Sequence, residues 1–136
     1  MKKSILTFVL FMSFHSFAQL KGSGKTITKT YDYQNFNTVL CNDLDGKLEI
    51  QVGKPFSITA IIDDNLSSLL TIIEHAGDKK LSISIKGNQN NKMYIEDTKI
   101  KIIITMPYLL EVTNNGNSDL LVSNINSNLN SINNLV

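Results

Sequence analysis

Side chains able to do chemistry are few and scattered in this 136-residue chain. A serine nucleophile needs an imidazole beside it, and there are two histidines, His15 and His75. His15 falls in the N-terminal leader described below. His75 ends an alternating segment beside a turn, which suits an exposed polar side chain, and no G-x-S-x-G sequence marks a nucleophile. Zinc wants three or four nitrogen and sulfur ligands, whereas Cys41 and His75 stand alone and far apart. Cys41 is the single cysteine, so no intrachain disulfide can form. It reads as a buried apolar thiol in or beside a strand, with nothing near it in sequence to lower its pKa.

Carboxylates are the fairer candidates. Asp43 with Asp45, and Asp63-Asp64-Asn65, offer hard oxygens. A Ca²⁺ site needs six to eight such oxygens converging, and neither cluster follows the twelve-residue loop or a Gly-Gly-x-Gly-x-Asp repeat. Turn and cap chemistry accounts for both. Glu96-Asp97 is the one adjacent acidic pair in the second half, and it precedes a strand. It is the best place for the paired carboxylates of a carbohydrate-active enzyme, but a solvated strand edge explains it better, and the chain has no Arg to assist a lyase. Tyr31, Tyr33, Tyr94 and Tyr108 could stack on sugar rings, or pack with a wet hydroxyl. The sequence thus assigns no catalytic, cofactor-binding or metal-ligating residue, implies no cofactor, and points to a non-enzymatic protein.

The elements that would position any site are strands. Residues 26–31 (TITKTY) alternate with period two, and residues 37–41 (NTVLC) form a second short strand after a turn at Gln34-Asn35, flanked by Tyr33 and Phe36. Asp43-Leu44-Asp45-Gly46 is a turn by composition. Residues 47–52 (KLEIQV) and 56–62 (FSITAII) both alternate and read as a hairpin across Gly53-Lys54-Pro55. Asn65 can cap one helical turn reaching Leu69 or Leu70. Residues 71–75 and 80–85 pair across Ala76-Gly77-Asp78. Residues 87–92 (GNQNNK) carry no apolar side chain and form an exposed loop.

The clearest unit is 99–119. Ile100, Ile102, Ile104 and Met106 share one face, and Lys99, Lys101, Ile103 and Thr105 the other. Pro107 turns the chain out of the strand, Leu109, Leu110 and Val112 resume it, and Asn114-Asn115-Gly116-Asn117 is a strong turn. Leu120-Leu121-Val122 make another short strand. A weak repeat of period 20 aligns Leu109, Val112, Thr113 and Asn114 with Leu129, Ile132, Asn133 and Asn134. Nine of the 23 residues from Asn114 to Val136 are Asn, which argues against a helix there. A period near 20 suits one rung of a solenoid, with 99–119 as its first full rung and asparagines stacked at the corners. The final residues, Asn134-Leu135-Val136, are apolar and mid-pattern. They predict an incomplete C-terminal edge able to associate with another chain.

Lys2 and Lys3, the apolar run 5–14 and Ser16-Phe17-Ala18 form a signal peptide, so the domains expected are a leader 1–18 and a β domain 19–136. An uncleaved anchor is the alternative, although ten apolar residues are short for a membrane span. Without Lys2 and Lys3, 11 basic and 12 acidic side chains remain, a formal charge of −1. Every basic residue is Lys and none is Arg, so neither nucleic acid nor anionic lipid is an expected partner.

Several segments in order carry a resemblance. They are GSGK at 22–25, YDYQNFNTV at 31–39, GKLEIQVGKPFSITAIIDDNL at 46–66, KLSISIKG at 80–87 and KIKIIITMPYLLEVTNNGNSDL at 99–120. Together with the leader, they resemble the secreted bacterial "putative auto-transporter adhesin, head GIN domain" family, over roughly residues 22–120. The resemblance implies an all-β fold, a right-handed, single-stranded β-helix-like solenoid of short strands. It implies an exported protein of the periplasm, outer surface or extracellular space that binds a surface glycan or protein. It supplies no catalytic residue. Family members carry further rungs after the position of Asp119, and a Ser-Gly-rich turn where this chain has NNGNS at 114–118. The function expected is therefore an adhesin-type binding module. A carbohydrate-active enzyme or its remnant, and a truncated structural copy, are the alternatives.

Overall fold

The computed structural model describes residues 20–86, 95–96 and 99–125. The leader, the 87–92 loop, Tyr94, Asp97 and the second copy of the period-20 repeat lie outside these. The chain is all-β, with strands β1 (Leu20–Lys21), β2 (Thr26–Tyr31), β3 (Thr38–Asn42), β4 (Lys47–Val52), β5 (Ser57–Asp63), β6 (Leu70–His75), β7 (Lys80–Ile85), β8 (Ile95–Glu96), β9 (Ile100–Met106), β10 (Glu111–Asn115) and β11 (Asp119–Asn124). Two short 3-10 turns, Asp64–Leu69 and Ala76–Asp78, interrupt them.

Period-two alternation decides which face each strand buries. Leu48, Ile50 and Val52 of β4 are buried, as are Ile58, Ala60 and Ile62 of β5 and Ile100, Ile102, Ile104 and Met106 of β9. These strands belong to a five-stranded sheet ordered β11-β4-β9-β5-β2. The four-stranded sheet, β10-β3-β7-β6, contributes Val112, Val39, Cys41, Leu81, Ile83, Ile85 and Ile72 to the same core. Each fully buried Ile or Leu stabilises by about 2–3 kcal/mol relative to exposure.

Three strand pairs stack in parallel: β7 beside β3 beside β10 in one sheet, and β9 beside β4 beside β11 in the other. Tight corners at 43–46 and 116–118 join β3 to β4 and β10 to β11. Below β7 and β9, the layers turn antiparallel: β6 pairs with β7, β5 with β9, and β2 with β5. The strand pair expected across Ala76-Gly77-Asp78 is this β6–β7 hairpin.

Two expectations are corrected. β4 and β5 are not a hairpin, because β9 inserts between them and pairs with both. The backbone N–H groups of Gly53 and Lys54 donate to Met106 O, at 2.8 and 3.3 Å, instead of closing a turn between the two strands. Nor is 99–119 one rung. β9 lies on one side of the β3–β4 layer and β10 on the other, in the opposite sheet. The 107–110 connection crosses that layer, and Leu110 N–H donates to Asn37 O at 2.7 Å on the way.

Glycine is required where the corners touch. A Cβ on Gly46 would lie 2.5 Å from Ile100 O and 2.9 Å from Ile100 Cβ. One on Gly116 would meet Leu44 O and N at 3.0 and 3.1 Å.

Candidate functional site

The acidic clusters are used within the fold. Asp63, fully buried, accepts from Gly24 N–H through Oδ1 at 3.0 Å and from Lys99 N–H through Oδ2 at 2.6 Å. Asp64 accepts from Ser23 Oγ at 2.5 Å. Asn65 accepts from Ser23 N–H at 3.1 Å and donates to Lys21 O at 2.7 Å, so it ties residues 21–23 to the 3-10 turn and does not cap it. These oxygens are therefore taken up by protein donors at Ser23, Gly24 and Lys99. Asp43 stands in the left-handed region, φ 54°, at the first corner. Among the described residues, no three His, Cys, Asp or Glu side chains gather as a metal site would need.

Cys41 is buried on β3, with its thiol 3.8 Å from Ser118 Oγ. Burial pushes the thiol up to about 11; the Ser118 contact lowers it slightly and Asp43 adds to the rise. His75 is exposed at the end of β6. Tyr31 and Tyr33 stack with centroids 6.2 Å apart, and Tyr33 donates to Ile72 O at 3.2 Å. Burial raises the Tyr31 phenol, and Tyr33 beside it adds to this. Tyr31 and Tyr33 are thus packing residues, whereas Tyr108 is 60% exposed.

Two surfaces remain available for binding. The first is the β10–β11 layer, which carries one of the two edge strands of each sheet, β6 and β2 being the others. Leu120 and Val122 of β11 sit in register with Leu48 and Ile50, yet are only partly buried where those two are fully so. Leu121 is 61% exposed on the other face. The corner of this layer is well built: Asn114 Nδ2 donates to Ser118 O at 2.8 Å, and Ser118 Oγ donates to Asn114 Oδ1 at 2.7 Å. Asn115 Nδ2 donates to Asn42 Oδ1 at 3.1 Å between neighbouring parallel strands, a single bond of the kind stacked asparagines make.

The second surface is a hollow of about 510 Å³ at the Pro107 end of the strands, open to solvent. Phe36, Phe56, Pro107 and Tyr108 give it apolar walls; Asn35, Asn37 and Lys79 stand at its rim. Phe56 meets the buried Phe36 edge-on, with centroids 5.0 Å apart at 61°. Lys79 is left-handed (φ 49°), and its carbonyl accepts from the N–H groups of Asn37 and Thr38 at 2.9 and 3.1 Å. Sequence reasoning placed Phe36 and Gln34-Asn35 at a turn and Tyr108 after the proline corner. It could not bring them together, because the hollow joins four separate segments. The one signal was an exposed aromatic directly after a strand-ending proline.

A further hollow of about 380 Å³ at the corner end is lined by Lys47, Lys99, Lys101, Asp45 and Asp119, whose opposite charges largely offset one another. Among the described residues, no helix is long and apolar enough to cross a membrane.

No protein-family model and no curated protein matches this chain. Solved structures do. A "putative adhesin" of Parabacteroides merdae is 21% identical with a TM-score of 0.62, over 78% of this chain and 42% of its own. A "putative adhesin" of Bacteroides fragilis is 25% identical with a TM-score of 0.62, over 74% and 44%. A "putative lipid binding protein" of Parabacteroides distasonis is 21% identical with a TM-score of 0.64, over 76% and 43%. The chain thus shares its fold with these proteins and spans less than half the length of each.

Proposed function

We propose that this chain, freed of residues 1–18, is an exported, non-enzymatic binding module of the cell envelope. In this reading it is of adhesin type and holds extended polar ligands, a glycan or a protein strand. The observation that carries the proposal is the open β10–β11 layer. Two adjacent strands, one per sheet, offer their outer backbone N–H and C=O groups, with no strand beyond them among the described residues. Such edges take up an added strand, from another protein or a second copy of this chain. The likeness to proteins named as adhesins supports the same reading. So does the resemblance to the head GIN family, in which the parallel layers belong to a right-handed, β-helix-like solenoid.

A second reading, binding of a small amphiphile, is favoured by the aromatic hollow and by the neighbour named for lipid binding. A glycan array and an extended-peptide array probed with the full chain test the proposal, beside a polysaccharide-degradation assay. Retention of a glycan or peptide without turnover is the expected result. Turnover that disappears in Glu96→Gln or Asp97→Asn would make the protein an enzyme and sink the proposal.

A further inference from the structure

We propose that the hollow at the Pro107 end binds one pyranose unit bearing a carboxylate, a uronate within an extended glycan. This rests on the glycan-binding reading above and names the ligand and its place. A pyranose is a disc with an apolar C–H face and a polar rim. The hollow matches both parts. Tyr108 presents an exposed ring, and Phe56 is anchored edge-on against the buried Phe36, so the apolar wall is partly fixed before any ligand arrives.

The rim supplies planar polar groups. Asn37 accepts from Thr38 Oγ1 through its Oδ1 at 3.1 Å, while its Nδ2 has no partner among the described residues. Of the side chains lining the hollow, Lys79 alone is charged. Its backbone is held by Ala76 O, which accepts its N–H at 3.3 Å, and by the bonds its own carbonyl receives from Asn37 and Thr38. The cation is therefore tethered at the rim, and its ammonium has no partner among the described residues. Glu74, on the neighbouring strand end, accepts the backbone N–H of Asn35 at 2.6 Å. A ligand carboxylate thus finds an uncommitted cation beside an aromatic wall.

A fatty acid fits less well. Its chain needs an enclosed apolar space, and the space between the sheets is filled: Leu48, Ile50, Ile102 and Ile104 are all 0% exposed. The hollow's volume lies within the range of about 300–1,000 Å³ typical of small-ligand sites, but it opens to water.

Titration of the full chain with trigalacturonate and with neutral galactotriose, followed by NMR, tests this. Trigalacturonate binds about fivefold more tightly than the neutral sugar, the advantage expected of an exposed ion pair. Tyr108→Ala weakens both sugars about tenfold, and Tyr108→Phe restores them. Lys79→Gln keeps the neutral sugar's affinity and erases the difference. Both side chains are exposed, so an unchanged thermal midpoint checks that the variants fold. Equal affinity for the two sugars, no response to either, or binding unaltered in Tyr108→Ala overturns the inference. If trigalacturonate is ignored while another glycan or a peptide is retained on the arrays, the inference falls and the adhesin-type reading stands. Dodecanoate bound in place of both sugars and lost in Tyr108→Ala would assign the hollow to lipid and likewise overturn it.

Discussion

The two ends of the strand stack are built differently. At the antiparallel end, β2, β5 and the Asp64–Leu69 turn close over the core. Side chains reach across to backbone there: Asp63 to two N–H groups, Asn65 to Lys21 O, and Lys29 Nζ to Ser67 O at 3.0 Å. At the β10–β11 end, the corner is bonded but the strands present partly buried Leu120 and Val122 and exposed Leu121. Both ends finish in an edge strand with the same alternation of exposed and partly buried positions, β2 at one and β11 at the other. What differs is the bracing: polar side chains tie the β2 end to remote backbone, and at the β10–β11 end they bond within the corner. Burial at the same register position falls from one layer to the next, from Leu48 and Ile50 to Leu120 and Val122, as it does from Ile62 and Ile58 to Ile27 and Tyr31 at the other end. The two ends therefore differ in polar bracing and not in the burial of their edge strands.

The largest test of this contrast is Asp63→Ala. It strands two N–H groups at the closed end, each costing about 1–3 kcal/mol, so roughly 3–5 kcal/mol of stability goes in urea unfolding. Asp119→Ala, exposed at the open end, should stay within about 0.5 kcal/mol. Similar losses for the two would erase the contrast.

The corner glycines give a smaller step. Gly46→Ala forces a methyl against Ile100 backbone at 2.5 Å and should cost about 3 kcal/mol. Gly116→Ala, one layer out with contacts near 3.0 Å, should cost about 1 kcal/mol because the open layer can shift. Denaturation midpoints of the two variants decide it, and a Gly116→Ala loss as large as that of Gly46→Ala would show the outer layer to be as rigid as the inner.

Cys41 gives the finest measure. Burial raises its thiol from 9.0 to about 11, so the folded state favours the protonated form. Stability from this group is intact below pH 9 and declines as the pH rises from 9 to 11. The loss at pH 10 is about 1 kcal/mol. The thiol touches Ser118 of the open layer, so its labelling by a disulfide reagent reports how often that layer lifts. Labelling should outpace exchange of the β5 and β9 amides. Labelling only as fast as global unfolding would mean the open end is no weaker than the closed one.

Much of this was legible in the residues. Alternation in KLEIQV and KIKIIITM fixed the buried faces of β4 and β9, and Ala76-Gly77-Asp78 announced the β6–β7 hairpin. Alternation says which face is buried but nothing about which strand lies alongside. That is why residues 47–52 and 56–62 looked like a hairpin when β9 stands between them. Asp63 looked like a turn residue because its two backbone partners, Gly24 and Lys99, are remote in sequence. The hollow was least legible of all, since Phe36, Phe56, Lys79 and Tyr108 meet only through the corners.

The order in which the chain visits its layers bears on how it comes to be folded. β3 and β4 form the middle layer, yet every strand that flanks them arrives later: Val39 waits for Leu81 and Val112, and Leu48 for Ile102 and Leu120. A polypeptide delivered amino-terminus first, whether from a ribosome or through a secretion channel, therefore cannot set down layer upon layer as it emerges. β3 waits for β7 and β10, and β4 for β9 and β11. Closing such distant pairs is slow, because loop-closure entropy is lost before the contacts repay it. Slow closure is a handicap for a protein that folds where it is made. Under the export proposed above, the same delay leaves the chain time to be transported before its layers close.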